Sequence, residues 1–361
     1  MRTLQPISPG GLRYDHIVGT GGIGSGMFFS LKGNETLGRE ESRMASLLPY
    51  RDYCKQHIII HYISVLLGAS IHGSFQSYPI GKVGNDDTGR SLINMMKSTG
   101  MVTDHVTVSP DYATLFSVCF QYPDHTGGNI TTSDSASSEV SSADIDNFFS
   151  ASRINADKEI ILAVPEVPLE ARIRLLEHGK ARGSMNVASV QSSEINAFSA
   201  LNGFTLTDYL FINLDEARKV ADLDESAAAE TVVLTAISNL INLNSSLTVF
   251  VTCGAAGLYC YSKKHLEYFP SVEVDVVSTA GAGDAFLAGT IAGLSCGLPL
   301  FKHNKEIAHV LSTAAELGVL VAGLSVTSQD SIHMALNADA LFDFINERKF
   351  KCTDEFLKMF S

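Results

Sequence analysis

The chain has 361 residues and a formal net charge of −13, with 45% hydrophobic residues and only 18% charged ones. This balance is typical of a globular protein and excludes an intrinsically disordered one. A chain of this length can bury a full core, in one large domain or in two smaller ones. The negative charge, with no strongly basic stretch to offset it, argues against nucleic acid or an anionic membrane surface as the main partner.

The cysteines lack the paired spacing of a metal site, and several lie inside apolar runs. We therefore expect buried, reduced thiols, which suit the cytosol. No apolar run reaches the length of a transmembrane helix without polar interruption. These features predict a soluble protein of the cytoplasm.

Strand-like segments alternate with helical ones along most of the chain. Apolar, strand-like runs occur at 16–19, 160–164, 209–212 and 247–251, and helical periodicity appears between them at 169–178 and 226–240. Buried strands separated by helices predict an α/β fold with a largely parallel sheet covered on both faces. The last segment, 338–360, predicts one terminal amphipathic helix.

The region 112–130 interrupts this alternation. Two strand-like runs flank a turn that contains Pro123, Asp124 and two glycines. Such a pattern predicts a β-hairpin rather than a strand, helix and strand unit.

The most informative run is 278–289, where Gly281-Ala282-Gly283-Asp284 precedes a helical pattern. The β-branched segment 272–277 before it predicts a strand, followed by a turn of small residues and a helix start. Amides that no side chain shields at a helix N-terminus bind anions, with help from the helix dipole. An Asp beside such an anion is best explained as a base for a hydroxyl that attacks phosphate. The alternative is a tight turn in which Asp284 only caps the helix.

The run 278–284 resembles the Asp-Thr-x-Gly-Ala-Gly-Asp signature of the ribokinase-like (PfkB) carbohydrate kinases, and only Ser278 departs from it. The resemblance implies an α/β fold with three layers, α/β/α, around a mainly parallel sheet. It implies one kinase domain over 1–361, with a small β lid contributed from about 24–50 and 110–133. It also implies ATP as the phosphoryl donor, Mg²⁺ as the metal and a sugar-like acceptor.

Within this signature the resemblance assigns Asp284 as the catalytic base and Gly281, Ala282 and Gly283 as the anion hole, with Thr279 on the nucleotide side. Because Ser278 replaces a carboxylate that holds a monovalent cation in some relatives, we do not predict activation by potassium. A homodimer through the lid also occurs in the family.

Asn213 and Glu216 match the family's Asn-x-x-Glu element, which follows a strand. Residues three apart at a helix start share one face, so their side chains converge. Glu216 would then organise Mg²⁺ through water. An ordinary capping box gives the same pattern, and both interpretations can hold together.

Three further residues resemble the family's nucleotide elements: Thr252, Gly254 and Gly257 match its Thr-x-Gly-x-x-Gly turn. The glycines would let the backbone approach phosphate or ribose, although a plain turn explains them too. Thr313 lies in the stretch where the family places a helix beside the adenine.

The acceptor elements of the family are altered. Asp86, in a Gly-x-Val-Gly-x-Asp-x-x-Gly run, would start a helix that supports the sugar pocket, but Gly24 stands about where the family has its sugar-binding Asp. The segment 53–61 replaces the family's Gly-Gly-x-x-x-Asn run.

Basic residues gather where the acceptor pocket should lie: Arg39, Arg43, Arg51, Lys55 and the nearby His57. Arginines suit carboxylate or phosphate recognition, so we extend the interpretation to an acceptor that carries an anionic group. Exposed charges on a loop are the alternative for any one of them.

Two other functions stay open. Gly19–Gly24 is a literal Gly-x-Gly-x-x-Gly run after a strand, as in dinucleotide-binding oxidoreductases, but it needs a helix directly after it. A ligand-binding protein that kept the fold and lost turnover is the other alternative.

Overall fold

The structure is a computed structural model that describes residues 2–124, 127–151, 154–302 and 310–361. Within these ranges the strands are β1 (His16–Thr20), β2 (Gly24–Leu31), β3 (Ala45–Tyr53), β4 (Gln76–Gly84), β5 (Val106–Ser109), β6 (Leu115–Gln121), β7 (Gly127–Thr131), β8 (Glu159–Ala163), β9 (Met185–Ser189), β10 (Tyr209–Asn213), β11 (Thr248–Thr252), β12 (Leu258–Ser262), β13 (His265–Phe269), β14 (Val310–Leu311) and β15 (Lys351–Cys352). The helices are α1 (Lys55–Leu67), α2 (Asp87–Ser98), α3 (Ser142–Ala151), α4 (Leu169–Arg182), α5 (Ile195–Ala200), α6 (Gly203–Leu206), α7 (Leu214–Ala221), α8 (Ala229–Leu243), α9 (Ala282–Cys296), α10 (Ala314–Ser325), α11 (Ala338–Glu347) and α12 (Asp354–Lys358).

A nine-stranded sheet forms the centre, in the order β13-β12-β11-β10-β9-β8-β1-β4-β5. The strands from β11 to β5 in this order are parallel, and β12 and β13 continue the sheet as antiparallel strands. The mainly parallel sheet predicted from the alternation of strands and helices is thus confirmed.

Helices cover both faces of this sheet. Ile17 and Ile160 pack into one apolar cluster with α1, α9 and α10, whereas Val18 and Ile161 pack into another with α4 and α8. Successive strand residues point to opposite faces, so a continuously apolar strand places side chains in the cores on both sides of the sheet. The fold is a three-layer α/β/α arrangement, as predicted.

A separate four-stranded sheet, in the order β3-β2-β6-β7, forms the predicted lid. The hairpin prediction is confirmed by β6 and β7, which pair antiparallel; His125 and Thr126 of its turn lie outside the described residues. The strands of this sheet lie within residues 24–53 and 115–131.

Two element predictions are wrong. Segment 272–277 forms no strand: the sheet ends at β13, and Val277 instead donates its N–H to the carbonyl of Val326 at 2.8 Å. The C-terminal segment is not one helix, because Lys349 adopts a positive φ of 55° after α11 and β15 then pairs with β14 before α12 begins. In both places tertiary neighbours override local propensity. No helix in the described ranges has the length and apolar character needed to cross a bilayer.

Candidate active site

A cavity of about 890 Å³ opens at the carboxyl ends of the central strands. Its wall includes Ser189 at the end of β9, Asn213 at the end of β10 and Thr252 at the end of β11, and the start of α9 closes it. Open α/β sheets bind ligands in such crevices, and the volume suits a nucleotide-sized ligand.

The turn before α9 depends on Gly281. This residue adopts a left-handed φ of 76°, and a Cβ there would lie 2.5 Å from the carbonyl oxygen of Ser331. Gly281 is the residue that precedes the helix, and Asp284 is the third residue within it. Asp284 is therefore not the N-cap, contrary to the simpler interpretation of the motif.

The N-terminus of α9 presents amides to the cavity. The first helical hydrogen bond joins the N–H of Ala285 to the carbonyl of Gly281, so the N–H groups of Gly283 and Asp284 have no acceptor inside the helix. The N–H of Ala282 donates to the carbonyl of Thr279 at 3.3 Å. Open space lies next to Gly283, where no heavy atom stands within 4 Å of an added Cβ. The geometry suits an anion.

Asp284 is only 8% exposed and lies 3.5 Å from Lys55, measured from Oδ1 to Nζ. Burial raises the pKa of the Asp284 carboxyl, and the ammonium of Lys55 opposes this rise. A buried carboxyl whose raised pKa is partly offset by a neighbouring cation is a suitable general base.

Lys55 lies among three carboxylates, those of Asp284, Glu166 and Glu216. It is the first residue of α1, and its N–H donates to Oε2 of Glu166 at 3.2 Å. The pKa of its ammonium is raised, mainly by the charge of Asp284 and also by Glu216 and Glu166, while burial opposes the rise. One cation thus lies between the start of α9, the strand end at β10 and the loop after β8.

Sequence reasoning missed Glu166. This residue follows β8 with an unusual positive φ of 79°, and its Oε2 would lie 2.6 Å from a Cβ added at Gly22. Burial raises the pKa of Glu166 to about 7, which Lys55 opposes. A non-glycine residue in this strained conformation often marks a functional site. The available signal was an acidic residue two positions after the predicted buried strand 160–164.

Asn213 and Glu216 form the predicted capping box at the start of α7. The N–H of Asn213 donates to Oε2 of Glu216 at 2.8 Å, and the N–H of Glu216 donates to Oδ1 of Asn213 at 2.8 Å. Burial raises the pKa of Glu216 to about 7, again opposed by Lys55. Both residues also line the cavity, so the cap holds a carboxylate at the site.

The predicted nucleotide residues separate into two groups. Thr252, Gly254, Gly257 and Thr279 line the cavity. Gly254 and Gly257 adopt positive φ values of 57° and 84°, which explains why glycine stands in this turn. Thr313 is buried instead and caps α10, whose later residues form part of the cavity wall.

The predicted acceptor residues are more scattered. Of the basic set, Lys55 reaches Asp284, whereas Arg39 and Arg51 are exposed and Arg43 pairs with Glu41 at 2.5 Å. His57 is fully buried in α1, and its ring nitrogens have no hydrogen-bond partner among the described residues.

Gly24 and Asp86 support the lid. Gly24 begins β2, where a Cβ would lie 2.5 Å from the carbonyl oxygen of Leu115 and 2.9 Å from Sγ of Cys54. Asp86 caps α2 and accepts hydrogen bonds from the N–H and the hydroxyl of Thr114, both at 2.7 Å. Asp86 thereby joins the start of α2 to Thr114, the residue before β6.

The run Gly19–Gly24 leads into strand β2 rather than into a helix. A dinucleotide fingerprint places the pyrophosphate on the N-terminus of the helix that follows the glycines. Here that helix is replaced by a lid strand.

No cluster of three or more His, Cys, Asp or Glu side chains able to hold a metal occurs in the part of the chain that the structure describes. Mg²⁺ commonly keeps water ligands and binds through one or two carboxylates together with substrate phosphates. The buried carboxylate of Glu216 fits such a site.

Residues 63–338 match the pfkB family of carbohydrate kinases. A protein named "Probable fructokinase-7" from Arabidopsis thaliana is 25% identical over 307 residues, which cover 79% of this chain and 83% of that protein. The structure resembles that of ribokinase from Cryptococcus neoformans var. grubii serotype A in complex with ADP, with a TM-score of 0.72 and 18% identity over 91% of this chain and 99% of that one. It also resembles a "putative Ribokinase II" from E. coli in complex with ATP and Mg²⁺, with a TM-score of 0.66 and 18% identity over 92% of this chain and 99% of that one. The fold is therefore ribokinase-like.

Proposed function

The chain belongs to the pfkB family of carbohydrate kinases, and we propose that it transfers the γ-phosphoryl group of ATP to a hydroxyl of a sugar or sugar-like molecule. One observation carries this proposal: the buried carboxyl of Asp284 stands beside free amides at the start of α9, where the cavity ends. A base next to an anion site is what phosphoryl transfer to an alcohol requires.

In the proposed reaction, the acceptor hydroxyl gives its proton to Asp284 while its oxygen attacks the γ-phosphorus. The bond between that phosphorus and the bridging oxygen of the β-phosphate breaks, and ADP leaves. Negative charge on the transferred group is stabilised by the amides of Gly283 and Asp284, with Ala282 contributing if its N–H leaves the carbonyl of Thr279. Lys55 adds a positive charge beside the reacting groups.

ATP would occupy the cavity, with its phosphates directed toward α9. Thr252, Gly254, Gly257 and Thr279 line the polar part of the wall. Val319 and Ala322 of α10 supply an apolar part of the wall that suits the adenine ring. Thr313 would act indirectly, because it fixes the start of α10.

Mg²⁺ would bind near Glu216, as a cation that neutralises charge on the β- and γ-phosphates. One oxygen of Glu216, Oε2, accepts from Asn213. The other has no hydrogen-bond partner among the described residues, so it can hold a water molecule of the hydrated ion.

The acceptor would bind beside Lys55 and Asp284. An anionic group on it remains our prediction, and Lys55 is the basic residue that supports it, because Arg43 is paired with Glu41. We assign the exposed Arg39 and Arg51 only as outer contacts of such a group. His57 is enclosed, so we assign it a place behind the pocket rather than a contact with the acceptor.

We further propose that residues 1–361 act as one kinase unit in the cytoplasm and that two copies associate through the lid. Met44, Leu47 and Ile130 of the lid region are 79%, 59% and 68% exposed, and an association of two copies would remove such apolar surface from water. Sedimentation of the purified protein checks this part: a monomer at micromolar concentration contradicts it.

A screen for ATP consumption tests the function itself. Sugars, sugar acids, sugar phosphates and nucleosides are offered with ATP and Mg²⁺, and products are checked for an added phosphate. We expect turnover with at least one class. Binding of ATP without turnover on any class would instead favour a ligand-binding protein that kept the fold.

A further inference from the structure

Strand β3 of the lid carries a carboxylate on the face that covers the site. Asp52 pairs in register with Gly26 of β2, and Gly26 pairs on its other side with Ser117 of β6. Paired residues of neighbouring strands point to the same face of a sheet. The hydroxyl of Ser117 accordingly donates to Oδ2 of Asp52 at 3.1 Å, and Sγ of Cys119 lies 3.2 Å from the same oxygen.

This face of the lid lies against the start of α1, because a Cβ at Gly24 would stand 2.9 Å from Sγ of Cys54. The charge of Asp52 adds to the rise in the pKa of Asp284 that burial causes. Burial likewise raises the pKa of the Cys54 thiol, and the charges of Glu166 and then Asp52 raise it further. Cys54 directly precedes Lys55, so Asp52 approaches the start of α1 from the lid while Glu166 approaches it from the central sheet.

The two glycines of β2 leave the space in which Asp52 stands. A Cβ at Gly26 would overlap the hydroxyl of Ser117 and would lie 3.1 Å from Cβ of Asp52. A Cβ at Gly24 would collide with Leu115 and Cys54. At these two positions strand β2 therefore carries no side chain on this face, although Gly24 is about where the family usually has its sugar-binding Asp.

One oxygen of Asp52 is free to bind a ligand. Both donors from β6 contact Oδ2, and Oδ1 has no hydrogen-bond partner among the residues that the structure describes. A carboxylate oxygen accepts two hydrogen bonds, and sugar hydroxyls are donors of the right kind. The half-buried position makes such bonds stronger than they are in water.

We propose that Asp52 is a specificity-determining residue that binds hydroxyls of the acceptor through Oδ1, in place of the carboxylate missing at Gly24. This inference rests on the proposed kinase function and assigns the lid side of its acceptor site. An acceptor with an anionic group would direct that group toward Lys55, because the charge of Asp52 repels it.

The test compares wild type with Asp52→Asn and with Glu35→Gln as a matched control. Glu35 is an exposed residue of the loop between β2 and β3, so its replacement makes the same charge change on the lid away from the site. D-ribose, D-fructose and the acceptors found in the broader screen are used with ATP. We expect Asp52→Asn to lower kcat/KM for the acceptor roughly 10- to 100-fold, as loss of a hydrogen bond to a charged group does. The KM for ATP and the melting temperature should stay near those of Glu35→Gln.

The outcomes separate the two levels of the proposal. A wild type that phosphorylates no acceptor contradicts the kinase function. A wild type that is active, with Asp52→Asn equal to Glu35→Gln, overturns the role of Asp52 alone. Equal losses for ATP and acceptor with a lower melting temperature show a structural role and overturn it too.

If Asp52→Asn does not fold, the variant Ser117→Ala tests the role of Asp52 instead. This variant keeps the carboxylate and removes a donor that orients it. We expect a rise of at least roughly threefold in acceptor KM, at the low end of what one neutral hydrogen bond contributes, with the KM for ATP unchanged. An unchanged acceptor KM would overturn the proposal.

Discussion

The proposed nucleotide side and the proposed acceptor side of the site are built in different ways. On the nucleotide side, the candidate residues sit in short motifs: Asn213 to Glu216 at the end of β10, Thr252 to Gly257 at the end of β11, and Gly281 to Asp284 at the start of α9. On the acceptor side, Asp52, Lys55 and Glu166 come from a lid strand, a helix start and a strained loop. The nucleotide side can be recognised from short stretches of sequence, whereas the residues of the acceptor side come together only when the chain folds.

This difference shows where the specific character of the protein lies. A phosphate-binding turn needs neighbouring amides, so its chemistry is carried by consecutive small residues. A pocket for an alcohol needs side chains that converge from several elements. Lys55 and Asp284 are 229 positions apart, and Asp52 and Ser117 are 65 apart. The acceptor side is accordingly where we expect the chain to differ most from other members of its family.

Asp284→Asn should have the largest effect, because it removes the base that both sides share. We expect kcat to fall by ~10³-fold or more, as for a lost general base. Affinity for ADP, measured by calorimetry, should change less than about threefold, since the amide keeps the shape of the carboxyl. Near-normal turnover by this variant would show that the two sides do not meet at Asp284.

Lys55→Met should have the next largest effect. Without the ammonium, the buried Asp284 loses the charge that opposes the rise of its pKa. Asp284 would then stay protonated up to a higher pH, so the acidic limb of the pH profile of kcat/KM should move upward. We expect a loss of roughly 10²-fold below neutral pH, comparable with other electrostatic contributions at active sites.

Lys55→Arg is the matched variant because it keeps the charge. The acidic limb of Lys55→Arg should lie near the wild-type pH, even if the variant turns over more slowly. If the acidic limb of the kcat/KM profile lies at the same pH in wild type and in Lys55→Met, the proposed electrostatic role of Lys55 is contradicted.

Sequence patterns predicted the parts of the molecule that depend on near neighbours. The parallel sheet, the hairpin of β6 and β7 and the capping box of Asn213 are of this kind. Segment 272–277 misled, because its valines have strand propensity, whereas Val277 in the structure donates its N–H to the carbonyl of Val326 at the end of α10 and pairs with no strand. The acceptor residues could not be grouped from sequence, since the register of β2 with β3 and β6 decides which side chains meet.

Two buried histidines of α1, His57 and His61, should make the stability of the fold depend on pH. Burial lowers the pKa of His57 to about 3 and that of His61 to about 4, whereas unfolded histidine titrates near 6.5. Unfolding therefore takes up protons below about pH 6.5, and stability falls as the pH drops toward about 4. Each histidine contributes up to about 1.4 kcal/mol per pH unit in this window.

Urea unfolding at pH 7 and pH 5 measures this response. The double variant His57→Leu/His61→Leu should lose less stability between the two pH values than wild type does. Equal losses in both proteins would show that these histidines do not govern the acid response.

Gly281→Ala should give the smallest effect, on the nucleotide side. The positive φ of 76° and the nearby Ser331 carbonyl both oppose a side chain, so we expect a loss of at least about 1 kcal/mol in unfolding free energy. Gly283→Ala is the matched control, because open space surrounds that position. Equal stability of the two variants would contradict the assigned geometry of the turn.

The most direct measurement is a crystal structure with a non-hydrolysable ATP analogue and Mg²⁺. The proposed mechanism predicts that the γ-phosphate accepts hydrogen bonds from the amides of Gly283 and Asp284, with Lys55 and the carboxyl of Asp284 beside it. A triphosphate bound away from the start of α9 would contradict it.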